Sequence, residues 1–114
     1  MAYLCLTLID PRPGFEQEAQ KLLKELDADL ASSDGLIMSL VLKDRSNRLG
    51  RLSLWDSRHE ADQNAGDLHV MAVRSRLHNL SASAEEGLME VESGHRAEGL
   101  RRTLGETHFQ LLPR

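Results

Sequence analysis

The chain has 114 residues, of which 40% are hydrophobic, 28% are charged and only 4% are aromatic, and its formal net charge is −4 at pH 7. The length suits one domain. The acidic balance and the scarcity of aromatic side chains argue against binding of nucleic acid or of an anionic membrane, because those surfaces need basic side chains and stacking platforms. A single cysteine, Cys5, excludes an intrachain disulfide. The apolar run around Cys5 is too short for a membrane span or a secretory leader, so we expect a cytoplasmic protein.

The first predicted elements are a strand and an amphipathic helix. Residues 2–9 alternate in an extended pattern that stops at the breakers Pro11, Pro13 and Gly14. Apolar residues then recur at helical spacing from Phe15 to Leu30, which predicts a helix. Residues 36–42 are predicted to form the second strand. A polar hairpin loop, residues 43–48, should lead to the third strand, residues 49–56.

Two helices and a last strand are predicted to follow. The first helix should run from Ser57 to about Ala65, because Ser57 and Glu60 have the spacing of a capping box, in which each side chain accepts from the other residue's backbone N–H. Asp67 should cap a further helix that extends to about Ala82. Residues 87–93 are predicted to form a weaker fourth strand.

The order β-α-β-β-α-β is that of the ferredoxin-like split β-α-β plan, an α+β fold with a four-stranded antiparallel sheet and helices on one face. The second strand is apolar on both sides, with residues 36, 38, 40 and 42 expected on one face and residues 37 and 41 on the other. Because the helices cover one face only, we predict a homodimer in which two sheets pack together. Residues 1–94 would form this domain. Residues 95–114 would be a C-terminal extension, either an arm that crosses to the partner or a tail without fixed structure.

Four short motifs carry a resemblance to a known family. They are Pro13-Gly14 before the first helix, Asp34-Gly35-Leu36 at the second strand, Leu54-Trp55-Asp56-Ser57-x-x-Glu60-Ala61 at the exit of the third strand, and His69 near the last helix. On these residues the chain resembles the dimeric α+β barrel superfamily, in particular its antibiotic-biosynthesis-monooxygenase-like (ABM) branch, over about residues 2–93. Members include cofactor-independent oxygenases of quinols and polycyclic aromatics, haem-degrading oxygenases, isomerases and many proteins of unknown role.

Three residues are candidates for a pocket between the sheet and the helices. Trp55 would line it by ring stacking, and the alternative is a core aromatic that fills the strand–helix junction. His69 would be the catalytic general base that removes a phenolic or enolic proton, and the alternative is an exposed or capping histidine near Asp67. Thr7, with Tyr3 on the same face of the first strand, would contribute a hydroxyl group, and the favoured alternative is a barrel-facing pair whose hydroxyls are already hydrogen-bonded.

Asn64 and Arg74 are also predicted to be binding residues. Counted from Trp55, they stand at about the positions where haem-degrading members carry a Trp and a His, and the first strand lacks the Asn of those members. Haem degradation through that triad is therefore not expected. Arg74 would bind an anionic group of the substrate, and the alternative is a solvated arginine on a helix face.

No metal or other cofactor is expected. The histidines form no i, i+4 pair with one another, and neither an HExxH motif nor a phosphate-binding glycine pattern occurs. The resemblance implies a homodimer that oxidises a small aromatic or quinol-type compound without a cofactor. The alternatives are a non-catalytic dimer that binds a small apolar ligand or haem, and an isomerase on the same scaffold.

Overall fold

The computed structural model describes residues 1–95 of the chain, and these residues form a four-stranded antiparallel sheet with three helices. The elements in chain order are β1 (Tyr3–Pro11), α1 (Glu16–Leu30), β2 (Leu36–Lys43), β3 (Leu49–Trp55), α2 (Arg58–Ala65), α3 (Leu68–Asn79) and β4 (Ser81–Glu90). The strand order is β2-β3-β1-β4, so the predicted ferredoxin-like fold is confirmed. The predicted C-terminal arm, residues 95–114, lies outside the described residues except for His95.

The last helix and the last strand differ from the prediction. α3 ends at Asn79, three residues before the predicted end, and β4 runs over Ser81–Glu90 where residues 87–93 were expected. β4 pairs with β1 from Ser81 opposite Pro11 to Glu90 opposite Tyr3, with one irregularity at Ala82, where the register shifts. The small and acidic residues of β4 have low strand propensity, so the sequence gives a weak signal. The backbone hydrogen bonds to β1 stabilise β4 as a strand in spite of this low propensity.

One β-bulge changes the two faces of β2. The pairing between β2 and β3 shifts between Leu36 and Met38, so Ile37 is the extra residue. Leu36 is opposite Trp55, on the face that the helices cover, whereas Met38 and the alternate residues after it lie on the other face. The prediction that Leu36 shares a face with Met38 was wrong, because a bulge reverses the alternation at one point.

The helices pack on one face of the sheet and form the core with it. The buried apolar residues are Ala19, Leu22, Leu23, Leu26 and Leu30 from α1, Ala61 from α2, Val70, Val73 and Leu77 from α3, and Tyr3, Ile9, Leu36, Leu49 and Trp55 from the sheet. Those of α1 recur at intervals of three and four residues, as predicted for an amphipathic helix. None of the described helices is long and apolar enough to cross a membrane.

α2 begins after Ser57, as predicted, but the capping box is not formed. The Ser57 side chain makes no hydrogen bond to the backbone of the first turn. Its hydroxyl donates to the Glu60 carboxylate instead, and this hydrogen bond lowers the pKa of Glu60. Glu60 also packs against Gly35, where φ is +81° and an added Cβ would lie 2.4 Å from Glu60 Cγ. Only glycine fits there, so this contact fixes α2 against the start of β2.

The face of the sheet that points away from the helices is mostly apolar, with Asp10, Ser83 and Glu85 towards one end of β1 and β4, and we call it the open face. According to the strand register it carries Leu4, Leu6, Leu8, Met38, Leu40, Leu42, Leu52, Leu54 and Met89. In the single chain each of these side chains is half-buried or exposed. A contiguous apolar surface of this kind is typical of a protein–protein interface.

Candidate functional site

A cleft lies between the helix-covered face of the sheet and the helices. It has two compartments, with volumes of about 410 Å³ and about 160 Å³. Both compartments are lined by Thr7, Arg51, Ala65, Arg74 and Glu86, so they are neighbouring parts of one space. The larger compartment continues between apolar side chains of the sheet, α1 and α3, among them Ile9, Leu23, Leu26 and Leu77. A mostly apolar space with a few polar groups is typical of a small-molecule site.

Trp55 forms part of the wall of the smaller compartment. It is 2% exposed, and its indole Nε1–H donates to Ser53 Oγ at 2.9 Å. The indole N–H is therefore already used within the protein, and the ring surface is what Trp55 presents to a ligand. Cys5 lines the same compartment, and burial raises the pKa of its thiol. A raised pKa keeps the thiol protonated at neutral pH, as expected of a small buried side chain and not of a nucleophile.

Arg51 is the residue of the cleft that the sequence analysis missed. It lies on β3 opposite Thr7 of β1, is only 8% exposed and lines both compartments. Its Nη1 is buried without a hydrogen-bond partner among residues 1–95, and within that part of the chain no ion pair reaches its guanidinium. Burial lowers the pKa of Arg51, and the positive charge of Arg74 lowers it further. A signal was available, because Arg51 alternates with Leu49 and Trp55 on one face of a central strand.

The two carboxylates that line the cleft already have cationic partners. Arg74 Nη2 pairs with the Glu86 carboxylate between α3 and β4. Asp62 lines the smaller compartment and pairs with Arg58 on the exposed side of α2, at 3.4 Å from Oδ2 to Nε. Among the residues that the structure describes, Arg51 is therefore the cation of the cleft that forms no ion pair, although the carboxylates of Asp27 and Glu86 raise its pKa from a greater distance.

Four of the five predicted site residues lie together. Thr7, Trp55, Asn64 and Arg74 all line the smaller compartment, and Thr7 and Arg74 also line the larger one. Asn64 reaches the site because it lies in the last turn of α2, next to Ala65, which lines both compartments.

The structure does not bring His69 into this group. His69 is in the first turn of α3, where Asp67 Oδ1 accepts from the backbone N–H groups of His69 and Val70. Its side chain is 56% exposed, and Nε2 lies 2.6 Å from Asp29 Oδ2 of α1. His69 lines neither compartment. His78, nine residues further along α3, lines the larger compartment.

A possible metal-binding group lies on the surface near His69. Ligand atoms of Glu25, Asp29 and His69 lie within 4.8 Å of one another, and all three residues are exposed. It is the one such group of three or more found in residues 1–95. The group is separate from the cleft, and the hydrogen bond between His69 and Asp29 accounts for the position of two of its members.

No family model matches the chain, and no curated protein matches it. Solved structures do match. Rv0793 from Mycobacterium tuberculosis is 15% identical, with a TM-score of 0.78 over 84% of this chain and 100% of that one. A candidate antibiotic biosynthesis monooxygenase from Deinococcus radiodurans is 18% identical, with a TM-score of 0.74 over 87% and 100%. SnoaB, a cofactor-independent oxygenase from Streptomyces nogalater, is 16% identical, with a TM-score of 0.71 over 82% and 95%.

These matches cover nearly the whole of each neighbouring chain, so the shared structure is a complete domain. The chain therefore has the ABM-type fold, and the resemblance predicted from its motifs is confirmed at the level of the fold. Because the identities are low, the activity of this chain is argued from its own cleft.

Proposed function

We propose that the chain is a cofactor-independent monooxygenase-like protein that acts on a small aromatic or quinol-type compound in the cleft. The observation that carries the proposal is the cleft itself, in which Thr7, Trp55, Asn64 and Arg74 line one compartment beside a larger apolar one. The volume and the mostly apolar lining with a few polar groups suit a small ring with oxygen substituents. The fold shared with SnoaB, which is described as a cofactor-independent oxygenase, supports the same reaction class.

The proposed reaction begins with removal of a proton from the bound ring system. The resulting carbanion is electron-rich and reacts with O2. For an anthrone-type substrate, a ring CH2 becomes C=O, so one oxygen atom enters the product and the other leaves as water with the two hydrogens. Trp55 would hold the ring by surface contact, while Thr7, Asn64 and Arg74 would donate hydrogen bonds to its oxygen atoms.

Two histidines are candidates for the base. His69 is the residue predicted from the sequence, and it would have to act from the surface, beside Asp29. His78 is also exposed, but it lines the larger compartment. Because a general base must come within hydrogen-bond reach of the proton that it removes, the geometry favours His78, and the pair of single variants decides between them.

We further propose that the protein is a cytoplasmic homodimer whose two open faces pack against each other. The large apolar side chains of the open face, already given, support this arrangement, because exposing them to water is unfavourable. In a face-to-face dimer each cleft would remain open on the helix-covered side. The cleft and the dimer contact would then be independent surfaces of one sheet.

The experiment is oxygen uptake by chelator-treated protein with dithranol and menadiol, measured above the rate without protein. We expect substrate-dependent uptake in the wild type and in His69→Ala, and a loss in His78→Ala. A loss in His69→Ala alone would assign the base to the residue predicted from the sequence. Turnover without O2 uptake would favour an isomerase, and binding without turnover would favour a carrier; either result would contradict the proposed oxygenase.

A further inference from the structure

We propose that Arg51 makes the cleft a receptor for an oxyanion carried on a small aromatic ring, either a carboxylate or an ionised phenol. This inference rests on the proposed function in that it uses the same cleft, and it adds the substrate class. It concerns binding alone. Oxyanion binding without O2 uptake would leave it standing while the oxygenase proposal failed.

The first argument is the isolation of a buried cation. Arg51 is 8% exposed, its Nη1 is buried and has no hydrogen-bond partner among residues 1–95, and within that part of the chain it forms no ion pair. Buried charges are normally paired, because a charge loses its hydration when it leaves water. A guanidinium with a free donor at the boundary of a cavity is explained by an anionic ligand.

The second argument is the charge balance around the cleft. The Glu86 carboxylate is held by Arg74, and the Asp62 carboxylate is held by Arg58 at 3.4 Å. Neither acid is within ion-pair distance of Arg51. The carboxylates of Asp27 and Glu86 raise the pKa of Arg51 from beyond ion-pair distance, and Glu86 is itself paired with Arg74. No carboxylate among residues 1–95 forms an ion pair with Arg51, so a ligand with one negative charge would give its guanidinium a direct partner.

The third argument is position. Arg51 and Thr7 are cross-strand partners on β3 and β1, and both residues line both compartments. A ring held among Ile9, Leu26 and Leu77 of the larger compartment would direct a substituent towards this pair. The planar guanidinium can donate two parallel hydrogen bonds to a carboxylate, or one to a phenolate oxygen, and the Thr7 hydroxyl can add another.

The test is calorimetric titration of the wild-type protein with 2-naphthoate and with 2-naphthamide, which has nearly the same shape and no charge. We expect 2-naphthoate to bind at least about tenfold more tightly, the size of effect typical of a hydrogen bond to a charged group. Arg51→Met should abolish this preference and Arg51→Lys should retain part of it. Arg76→Met is the matched control, because Arg76 is exposed on α3 and lines neither compartment.

A second arm distinguishes the two sources of the oxyanion. 2-Naphthol is neutral at pH 7, and phenols ionise near pH 10. If the site takes phenolates, 2-naphthol should bind more tightly at pH 10 in the wild type and not in Arg51→Met, with circular dichroism at both pH values to verify folding. If only 2-naphthoate shows the preference, the ligand class is aromatic carboxylates.

Three results would overturn the inference. They are equal binding of 2-naphthoate and 2-naphthamide by the wild type, no binding of 2-naphthoate at millimolar concentration, and an unchanged preference in a folded Arg51→Met variant. Should Arg51→Met fail to fold, the wild-type comparison and Arg51→Lys still decide. Loss of the preference in Arg76→Met would be a fourth contradicting result, because Arg76 lines neither compartment.

Discussion

The two faces of the sheet differ in an unexpected way: the face that the helices cover carries polar groups, and the face that nothing within residues 1–95 covers is mostly apolar. On the covered side, the middle of the sheet carries polar groups, namely the hydroxyls of Thr7 and Ser53, the thiol of Cys5 and the guanidinium of Arg51, around a space that the helices leave unfilled. On the open face, the same strands carry only apolar side chains and glycine between Leu4 and Leu8 and between Gly50 and Leu54. Polar groups beside a cavity are typical of a ligand site, whereas an uncovered apolar face is typical of a contact between subunits.

The largest expected effect tests whether Trp55 on the covered face stabilises the fold in addition to lining the cleft. Trp55→Ala should lower the free energy of unfolding by about 3–5 kcal/mol, because it removes a large side chain that is 2% exposed. Urea unfolding measures this. Leu68→Ala, at a position 82% exposed on α3, should change stability by less than about 0.5 kcal/mol. A loss below about 1 kcal/mol for Trp55→Ala would mean that the covered face is not organised around this residue.

The next effect tests the open face. Leu6 lies at its centre, opposite Leu52 on one side and Gly87 on the other. Leu6→Glu should raise the dissociation constant of the proposed dimer by at least about 100-fold, about 2.7 kcal/mol, because a buried unpaired carboxylate opposes association. Sedimentation velocity measures the dimer, and Leu68→Glu is the control outside the face. A wild type that is monomeric at micromolar concentration, or a Leu6→Glu variant that stays dimeric, would contradict the arrangement.

A smaller effect of opposite sign is expected at Arg51. Arg51→Met should raise the free energy of unfolding by about 1–2 kcal/mol, because a buried cation without a partner is replaced by an apolar side chain of similar length. The lowered pKa of Arg51, which results from burial, has the same origin. Thermal unfolding at pH 7 measures the change. A clear loss of stability in Arg51→Met would mean that Arg51 has a structural partner that balances its charge.

The smallest effect concerns the helix that borders the cleft. The Ser57 hydrogen bond lowers the pKa of Glu60, so it stabilises the folded state above the pKa of the unfolded chain and loses this effect as the pH falls through the folded-state pKa. Ser57→Ala should therefore lower Tm at pH 7, and the difference from the wild type should shrink below about pH 4. In a Glu60→Gln background the same substitution should change Tm little. A pH-independent effect of Ser57→Ala would contradict this origin.

The elements with strong periodicity could be predicted from the sequence. The alternation of residues 2–9 predicts β1, and the spacing of apolar residues from Phe15 to Leu30 predicts α1, each at nearly the right bounds. This works because burying one face of a strand or helix requires apolar residues at the period of that element. β4 could not be located in this way, since Ser81 to Glu86 have little strand preference and pair because β1 is adjacent. The bulge at Ile37 could not be predicted from the sequence either, because no residue in the apolar run from Leu36 to Leu42 distinguishes the one that is unpaired with β3.

The site was predictable in part for a similar reason. Trp55 was predicted from the strand–helix junction, Thr7 from its face of the first strand, and Asn64 and Arg74 from their spacing to Trp55, and all four line one compartment. Arg51 was missed because a charged residue in a strand is ordinarily assigned to the solvent-facing side, although its alternation with Leu49 and Trp55 places it on their face. For His69 the opposite happened. A histidine is a suitable general base, but this one lies in the first turn of α3, contacts Asp29 of α1 and lines neither compartment.

The central claim is that the covered face, and not the open face, receives the ligand, and one measurement tests it directly. The chain has a single tryptophan, so its ¹H–¹⁵N spectrum should contain one indole resonance, that of Trp55 Nε1–H in the wall of the smaller compartment. On titration with 2-naphthoate we expect this resonance to shift and saturate, with the amide signals of Thr7 and Arg51, at the same wall, shifting at the same ligand concentration. An unchanged indole resonance, with shifts confined to side-chain methyl signals of the open face such as those of Leu6 and Leu52, would contradict the account.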